Sequence, residues 1–503
     1  MADRLTIYFT SDTHGYLYPT NFADDAPRAM GLFAMAFPKD GNTLVIDGGD
    51  TLQGSPLTYY CHAENVPMPC ARAMNALGYD YVTFGNHDFN YGRETVHSHL
   101  RALNARCLCA NVTDATAEMP VAPYAIHTLA NGLRVGLVGG VTHWVNRWER
   151  PENLAGLTIC DPFAPMRDAA LLLRPKVDIL VGLYHGGFEK DLATGRMLSD
   201  TDENIAAKLC EELPFDILLT GHQHIPMAGI TYHGTHVVQT PCNAAAYGRL
   251  TVDSAGDIRS ELCTPSLPAR IQPWAQALYA DLNRWLDTPI GRLSKAIKPA
   301  GKLEMALRGS PIARLFNLVQ LAESGADISA TALGNDVRGF DADVTVRDVV
   351  ASYPYANTLV TLRVSGAVLR QALEQCATYF AVDAGGSVSI GERFLRPKAA
   401  HYNYDYYDGI AYTVDLRRPP RERVTRLTHN GAPVADGDEL TLVTNSYRAT
   451  GAGDFDMLAG CQRVWENQTE VSELLLNYLR AHELVTVPEQ SPCEVIWPDG
   501  RRA

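Results

Sequence analysis

At 503 residues the chain exceeds what one hydrophobic core organises, and a scale of about 150 residues per domain suggests two or three domains, excluding a single small binding module. Its 46% hydrophobic, 20% charged and 9% aromatic residues are those of an ordinary folded protein, not of a disordered, collagen-like or repeat chain. A formal net charge of -14 leaves no basic footprint for a phosphate backbone, so nucleic acid is not an expected partner and an anionic substrate must be held by a few local cations, arginines or metal ions.

The chain enters a strand-like run at Leu5 without a basic, apolar and small-residue leader, and no run of about 18 apolar residues predicts a membrane span. The eleven cysteines are scattered and form no CxxC pair. The expectation is a cytoplasmic protein with reduced thiols, periplasmic or secreted should a leader precede Met1. Short apolar runs at 5–9, 43–46, 81–84, 135–138, 179–183 and 217–219 each stop abruptly at polar residues, with helix-like segments between them. Such runs suit strands covered on both faces, which predicts a layered α/β domain over 1–265.

Breakers at 265–273 precede an amphipathic helix at 274–286, with Leu278 and Leu282 four apart, and a linker is expected at 266–289. Residues 290–503 mix helical stretches, at 312–323 and 366–380, with strands at 358–364, 410–416 and 439–444, and predict an α+β domain.

Twelve of the fifteen histidines precede residue 240. The strand runs end in Asp12 and His14 (Ser-Asp-Thr-His-Gly), Asp50 (Asp-Gly-Gly-Asp), Asn86 and His87 (Gly-Asn-His-Asp), His185 (Tyr-His-Gly-Gly), and His222 and His224 (Gly-His-Gln-His). In open α/β sheets the ligand crevice lies at the carboxyl ends of the strands, so five segments converge. Carboxylate, imidazole and amide oxygen together suit Mn²⁺, Zn²⁺, Fe²⁺ or Co²⁺.

The ordered set resembles the calcineurin-like metallophosphoesterase signature over residues 5–245. That resemblance implies two divalent ions bridged by Asp50, one held by Asp12, His14, Asp50 and His224, the other by Asp50, Asn86, His185 and His222. Two such ions share a hydroxide and neutralise the attacking and leaving oxygens at phosphorus. His87, beside a metal ligand, is the candidate to protonate the leaving alkoxide, and Asn90 is placed to accept its other N–H.

In the second part, Asn335-Asp336-Val337-Arg338-Gly339, the tyrosine-rich segment 402–407 and the Gly-rich segment 445–454 suit phosphate and base contacts. The linker helix and these motifs are similar to the C-terminal domain of the 5'-nucleotidase family, a nucleotide-binding module. The similarity implies a phosphate contact from Arg338, base stacking by Tyr404 and Tyr447, a base contact from Asp454 and a hinge at the linker. A second arginine of that pattern, expected near Ser310-Pro311, is missing. Asn90, where 5'-nucleotidases carry aspartate, resembles instead the 2',3'-cyclic-nucleotide 2'-phosphodiesterase/3'-nucleotidase branch. The expectation is a two-metal hydrolase of 2',3'-cyclic nucleotides and 3'-nucleotides. A 5'-nucleotidase is the alternative, followed by a non-catalytic nucleotide sensor or a protein phosphatase.

Overall fold

The six apolar runs become strands Leu5–Thr10, Thr43–Asp47, Tyr81–Val82, Arg134–Val141, Ile179–His185 and Ile217–Thr220 in a computed structural model. It describes residues 4–502 except 25, 196, 198–200, 336, 354, 356, 396–398 and 468. The chain divides into two compact units, Met1–Leu282 and Asn283–Ala503. The boundary between the units falls inside helix Pro273–Leu286.

In the first unit a seven-stranded sheet centres on Thr43–Asp47, paired in parallel with Leu5–Thr10, and in a six-stranded sheet Ile179–His185 is flanked in parallel by Arg134–Val141 and Ile217–Thr220. Alternation along the strands sends Leu5, Ile7 and Phe9 of one sheet against Leu137, Val181, Leu183 and Leu219 of the other in one buried cluster. On the opposite face Val138, Leu180 and Tyr184 pack on Met166, Ala170, Leu173 and Leu209. The last two come from Phe163–Leu173 and Ala206–Glu212, so strands buried on both faces carry no polar alternation.

The predicted linker is helix Pro273–Leu286. It is fastened to the first unit along most of its length: Tyr18 donates its hydroxyl to the Ala275 carbonyl at 2.6 Å, stacks on Tyr279, and Phe33 packs against Trp274. Past the boundary, Arg347 binds Asp287 at 2.6 Å and the Asn283 side chain at 2.9 Å.

The second unit holds a five-stranded sheet and a four-stranded sheet, the latter centred on Val424–His429 and Ile410–Asp415, with helices that include Pro311–Ser324 and Gly366–Ala377. Ser310-Pro311, where an arginine was sought, is the cap and first turn of a helix, Ser310 accepting from the Ala313 N–H. Arg314, one turn in, pairs with Asp408. All eleven cysteines are free, and among the described residues no helix is long and apolar enough to cross a membrane.

Candidate active site

The parallel strands of the first unit deliver their C-terminal ends to one place. Asp12, His14, Asp50 and His185 are all buried there, with Asn86 close behind. Two three-residue groups have mutually close donor atoms, Asp12 with His14 and His224, and Asp12 with Asp50 and His185. His14 Nε2 lies 3.2 Å from His224 Nε2, which is 3.2 Å from Asp12 Oδ1. On the other side His185 Nε2 is 3.2 Å from both Asp50 Oδ2 and Asn86 Oδ1, and Asn86 Oδ1 is 2.9 Å from His222 Nδ1. All seven expected ligands thus fall into two linked sets. Both carboxylates act on His14 and His185 alike.

Tautomers argue that the sets are built for cations. His14 Nδ1 faces the Gln53 carbonyl at 2.9 Å and His185 Nδ1 faces the Gly48 carbonyl at 2.7 Å, so each Nδ1 donates and each Nε2 is the nitrogen left to hold a cation or a proton. His222 is set the other way round, Nε2 to Glu203 at 2.9 Å, which turns its Nδ1 lone pair towards Asn86. Imidazole nitrogens and acceptor oxygens therefore converge, with Asp50 Oδ2 buried and facing His185 Nε2 at 3.2 Å. Two ligands on one divalent ion lie roughly 3.0–3.5 Å apart, the separations seen here. The donor set fits.

The backbone is strained to make this arrangement. Of the fourteen non-glycine residues at positive φ among the described residues, five are expected ligands, Asp12, His14, Asp50, His222 and His224. Gly85 has no freedom for a side chain, since a Cβ there would lie 2.1 Å from Asp50 Oδ1.

Charge follows the same logic. Burial opposes ionisation of Asp12, but the His185 and His224 imidazoles outweigh it and hold the carboxyl at about 2. Burial pushes His14 down to about 4. His185 is raised to about 9, Asp50 and Asp12 overcoming its burial.

His87 follows Asn86, and its Nδ1 meets Asn90 Oδ1 at 2.7 Å, the partnership expected from their spacing. Three contributors were not read from the sequence. Asp88, quoted within Gly-Asn-His-Asp but given no role, accepts the N–H groups of Gly85, Asp50, Thr51 and Leu52 and so joins two ligand loops. Glu203 orients His222, and Glu149 accepts from Asn90 Nδ2 at 2.6 Å. Neither glutamate has a motif, because each meets its partner only through the fold.

In the second unit Arg338 is exposed beside Gly339, and Asp336 lies outside the described residues. The Asn335 side chain ties that loop to the Ala399 carbonyl and the His401 N–H. Arg448, also unremarked in the sequence, is buried and pairs through two nitrogens with Asp405 while donating to the carbonyls of Tyr402 and Ala452. It fixes segments 402–405 and 447–454 against each other. Tyr447 is 43% exposed, and Asp454 is exposed with Arg393 3.5 Å away. Tyr404 needs correction. It is 4% exposed, donates to the Ala306 carbonyl at 3.0 Å and packs on Tyr379 and Tyr406, so it presents no ring face for a base. Tyr402 and Tyr406 of that segment are half-buried.

Residues 5–226 match the family model for calcineurin-like phosphoesterases, and residues 289–460 match that for the 5'-nucleotidase C-terminal domain. A solved Staphylococcus aureus protein described as a 5'-nucleotidase, in complex with alpha-ketoglutarate, is 32% identical, with a TM-score of 0.74 over 98% of this chain and 99% of its own. A Haemophilus influenzae 2',3'-cyclic-nucleotide 2'-phosphodiesterase/3'-nucleotidase is 24% identical across 95% of this chain and 84% of its own. A 5'-nucleotidase from Diplobatis ommata is 23% identical across 96% and 88%.

Proposed function

The chain belongs to the 5'-nucleotidase family, nucleotide phosphoesterases that hydrolyse phosphoric esters with divalent metal ions, and from that premise we propose that it is a two-metal hydrolase of 2',3'-cyclic nucleotides and 3'-nucleotides. The observation that supports the two-metal reading is the convergence of ligand atoms from His14, His185, His222, His224, Asn86 and both aspartates, with the far nitrogens of His14, His185 and His222 committed elsewhere. Asp12, His14 and His224 would hold one ion, Asn86, His185 and His222 the other, with Asp50 shared between them. Mn²⁺, Zn²⁺, Fe²⁺ or Co²⁺ suits this mixture of ligands. When bound, such ions draw charge from the phosphoryl oxygens and make water acidic enough to attack near neutral pH.

The protein's own part is positional. Gln53, Gly48 and Glu203 lock the ligand imidazoles, so little reorganisation accompanies binding. His87 commits Nδ1–H to Asn90 and, as the imidazolium, would give the proton on Nε2 to the leaving ribose oxygen, ending as the neutral Nδ1–H ring. Arg338, Tyr447 and Asp454 would recognise the nucleotide, with Tyr402 taking the stacking place that Tyr404 does not fill.

Asparagine at position 90 and the names of several relatives support the cyclic and 3' preference. Assays with Mn²⁺ on 2',3'-cyclic AMP, 3'-AMP and 5'-AMP test it. The first two should exceed 5'-AMP by at least about tenfold in kcat/KM, a discrimination that contacts to one phosphate position can supply. Turnover confined to 5'-AMP would favour the second reading, a 5'-nucleotidase, to which the names of the Staphylococcus aureus and Diplobatis ommata relatives point.

A further inference from the structure

We propose that Glu149 is a positioning residue that fixes the orientation of the Asn90 amide and, through it, the tautomer of His87. The proposal rests on the reading of His87 as the proton carrier. Glu149 ends the short turn of helix Val145–Trp148 and is 8% exposed. Its Oε2 accepts from Asn90 Nδ2 at 2.6 Å, and its Oε1 accepts from the Arg150 N–H at 2.7 Å and from Asn153 Nδ2 at 2.8 Å. Asn153 Nδ2 also donates to the Asn90 carbonyl at 3.0 Å, so the chain around Asn90 is held from both ends. Every partner of Glu149 donates, which suits a carboxylate and nothing with an N–H of its own.

An asparagine beside a histidine is ambiguous. It can present its oxygen, which demands a proton on Nδ1, or its amide nitrogen, which demands a lone pair there. Glu149 removes the ambiguity, because turning the amide over would bring the Asn90 oxygen against a carboxylate. Asn90 Oδ1 must then face His87, and His87 Nδ1 must carry hydrogen, leaving Nε2 as the proton-exchanging atom. An aspartate at position 90 would need no such help, since both its oxygens accept. Here the acceptor that touches the imidazole and the charge that orients it are divided between two residues 59 positions apart.

Glu149→Gln tests this division. A glutamine meets donors at both ends, so its amide group must oppose one of them; facing Asn90, it turns that side chain over. In Zn²⁺-loaded protein with ¹⁵N-labelled histidine, long-range proton–nitrogen spectra should show hydrogen on His87 Nδ1 in the wild type and none on it in Glu149→Gln, where the turned amide donates to the Nδ1 lone pair and the ring can no longer take up the second proton that it passes on from Nε2. The kcat for 2',3'-cyclic AMP should fall about 10–100-fold, as when other orienting partners are removed, with KM little changed. Bis(p-nitrophenyl) phosphate, whose leaving group needs no proton, should be turned over at the wild-type rate. Adding Asn90→Asp to Glu149→Gln should restore nucleotide turnover, since the new carboxylate orients His87 directly. Wild-type His87 without hydrogen on Nδ1, hydrogen still on Nδ1 in Glu149→Gln, or no rescue by Asn90→Asp overturns the proposal, and the first of these needs no variant. If the tautomer switches while nucleotide turnover holds, Glu149 keeps its positioning role and the proton-carrying role of His87 is what fails.

Discussion

Asp12, His14, Asp50, His222 and His224 occupy left-handed backbone that non-glycine residues adopt at a cost of about 1–3 kcal/mol each. That strain coincides with two buried carboxylates packed among imidazoles, so the metal-free cluster satisfies itself with protons. His185 takes the clearest one: burial disfavours its charge, but Asp50 and Asp12 raise it to about 9. Below that pH an arriving cation displaces the proton, and above it there is none to displace, so metal affinity must rise with pH. The apparent Kd for Mn²⁺ should drop about tenfold per pH unit between pH 6 and 8 for each proton released. Titrations at pH 6, 7 and 8 that return one Kd would contradict this account of the cluster.

Loops, not isolated side chains, are what the chain assembles. Asp88 binds four backbone N–H groups and holds the Asp50 loop against the Asn86–His87 loop, so a change in either is felt in both. Arg448 has the corresponding place in the second unit. Burial pushes the Asp405 carboxyl up and Arg448 pulls it down, an ion pair away from water that is costly to break from one side. Arg448→Ala should lower unfolding free energy by about 3–5 kcal/mol, measured by urea denaturation, because Asp405 is then stranded and Tyr402 and Ala452 lose their donor. A change below about 1 kcal/mol would show that the pair holds nothing.

These elements also mark what could be read from sequence. Strand tips in the first unit were legible because a both-faces-buried strand is a continuous apolar run, and whatever polar residue ends it stands at the crevice. His87 and Asn90 were legible because three residues is one turn of chain. Glu149 and Glu203 were not, since their partners lie across loops that only the fold closes. Tyr404 misled because an aromatic-rich segment reads alike whether it is a loop or the entry to a strand. Here Asp405–Asp408 pairs antiparallel with Ile328–Ala332, and the preceding Tyr404 goes to the core.

At the scale of the molecule the expected metal ligands and the candidate substrate contacts fall in different units. All seven expected ligands, with His87, Asn90 and Glu149, belong to the first unit, while Arg338, Tyr402, Tyr447 and Asp454 belong to the second. The sequence reading put the metal-ligand motifs before residue 265 and the substrate motifs after 290. It did not anticipate that most of the linker helix is fastened to the first unit by Tyr18 and Phe33, because a helix with one apolar seam does not say which neighbour it will face. The account stands on the first unit, and crystals soaked in Mn²⁺ and measured at the manganese absorption edge address it most directly. Two anomalous peaks are predicted, one against Asp12, His14 and His224 and one against Asn86, His185 and His222, with Asp50 reaching towards both. A single peak, or none at these side chains, would contradict it.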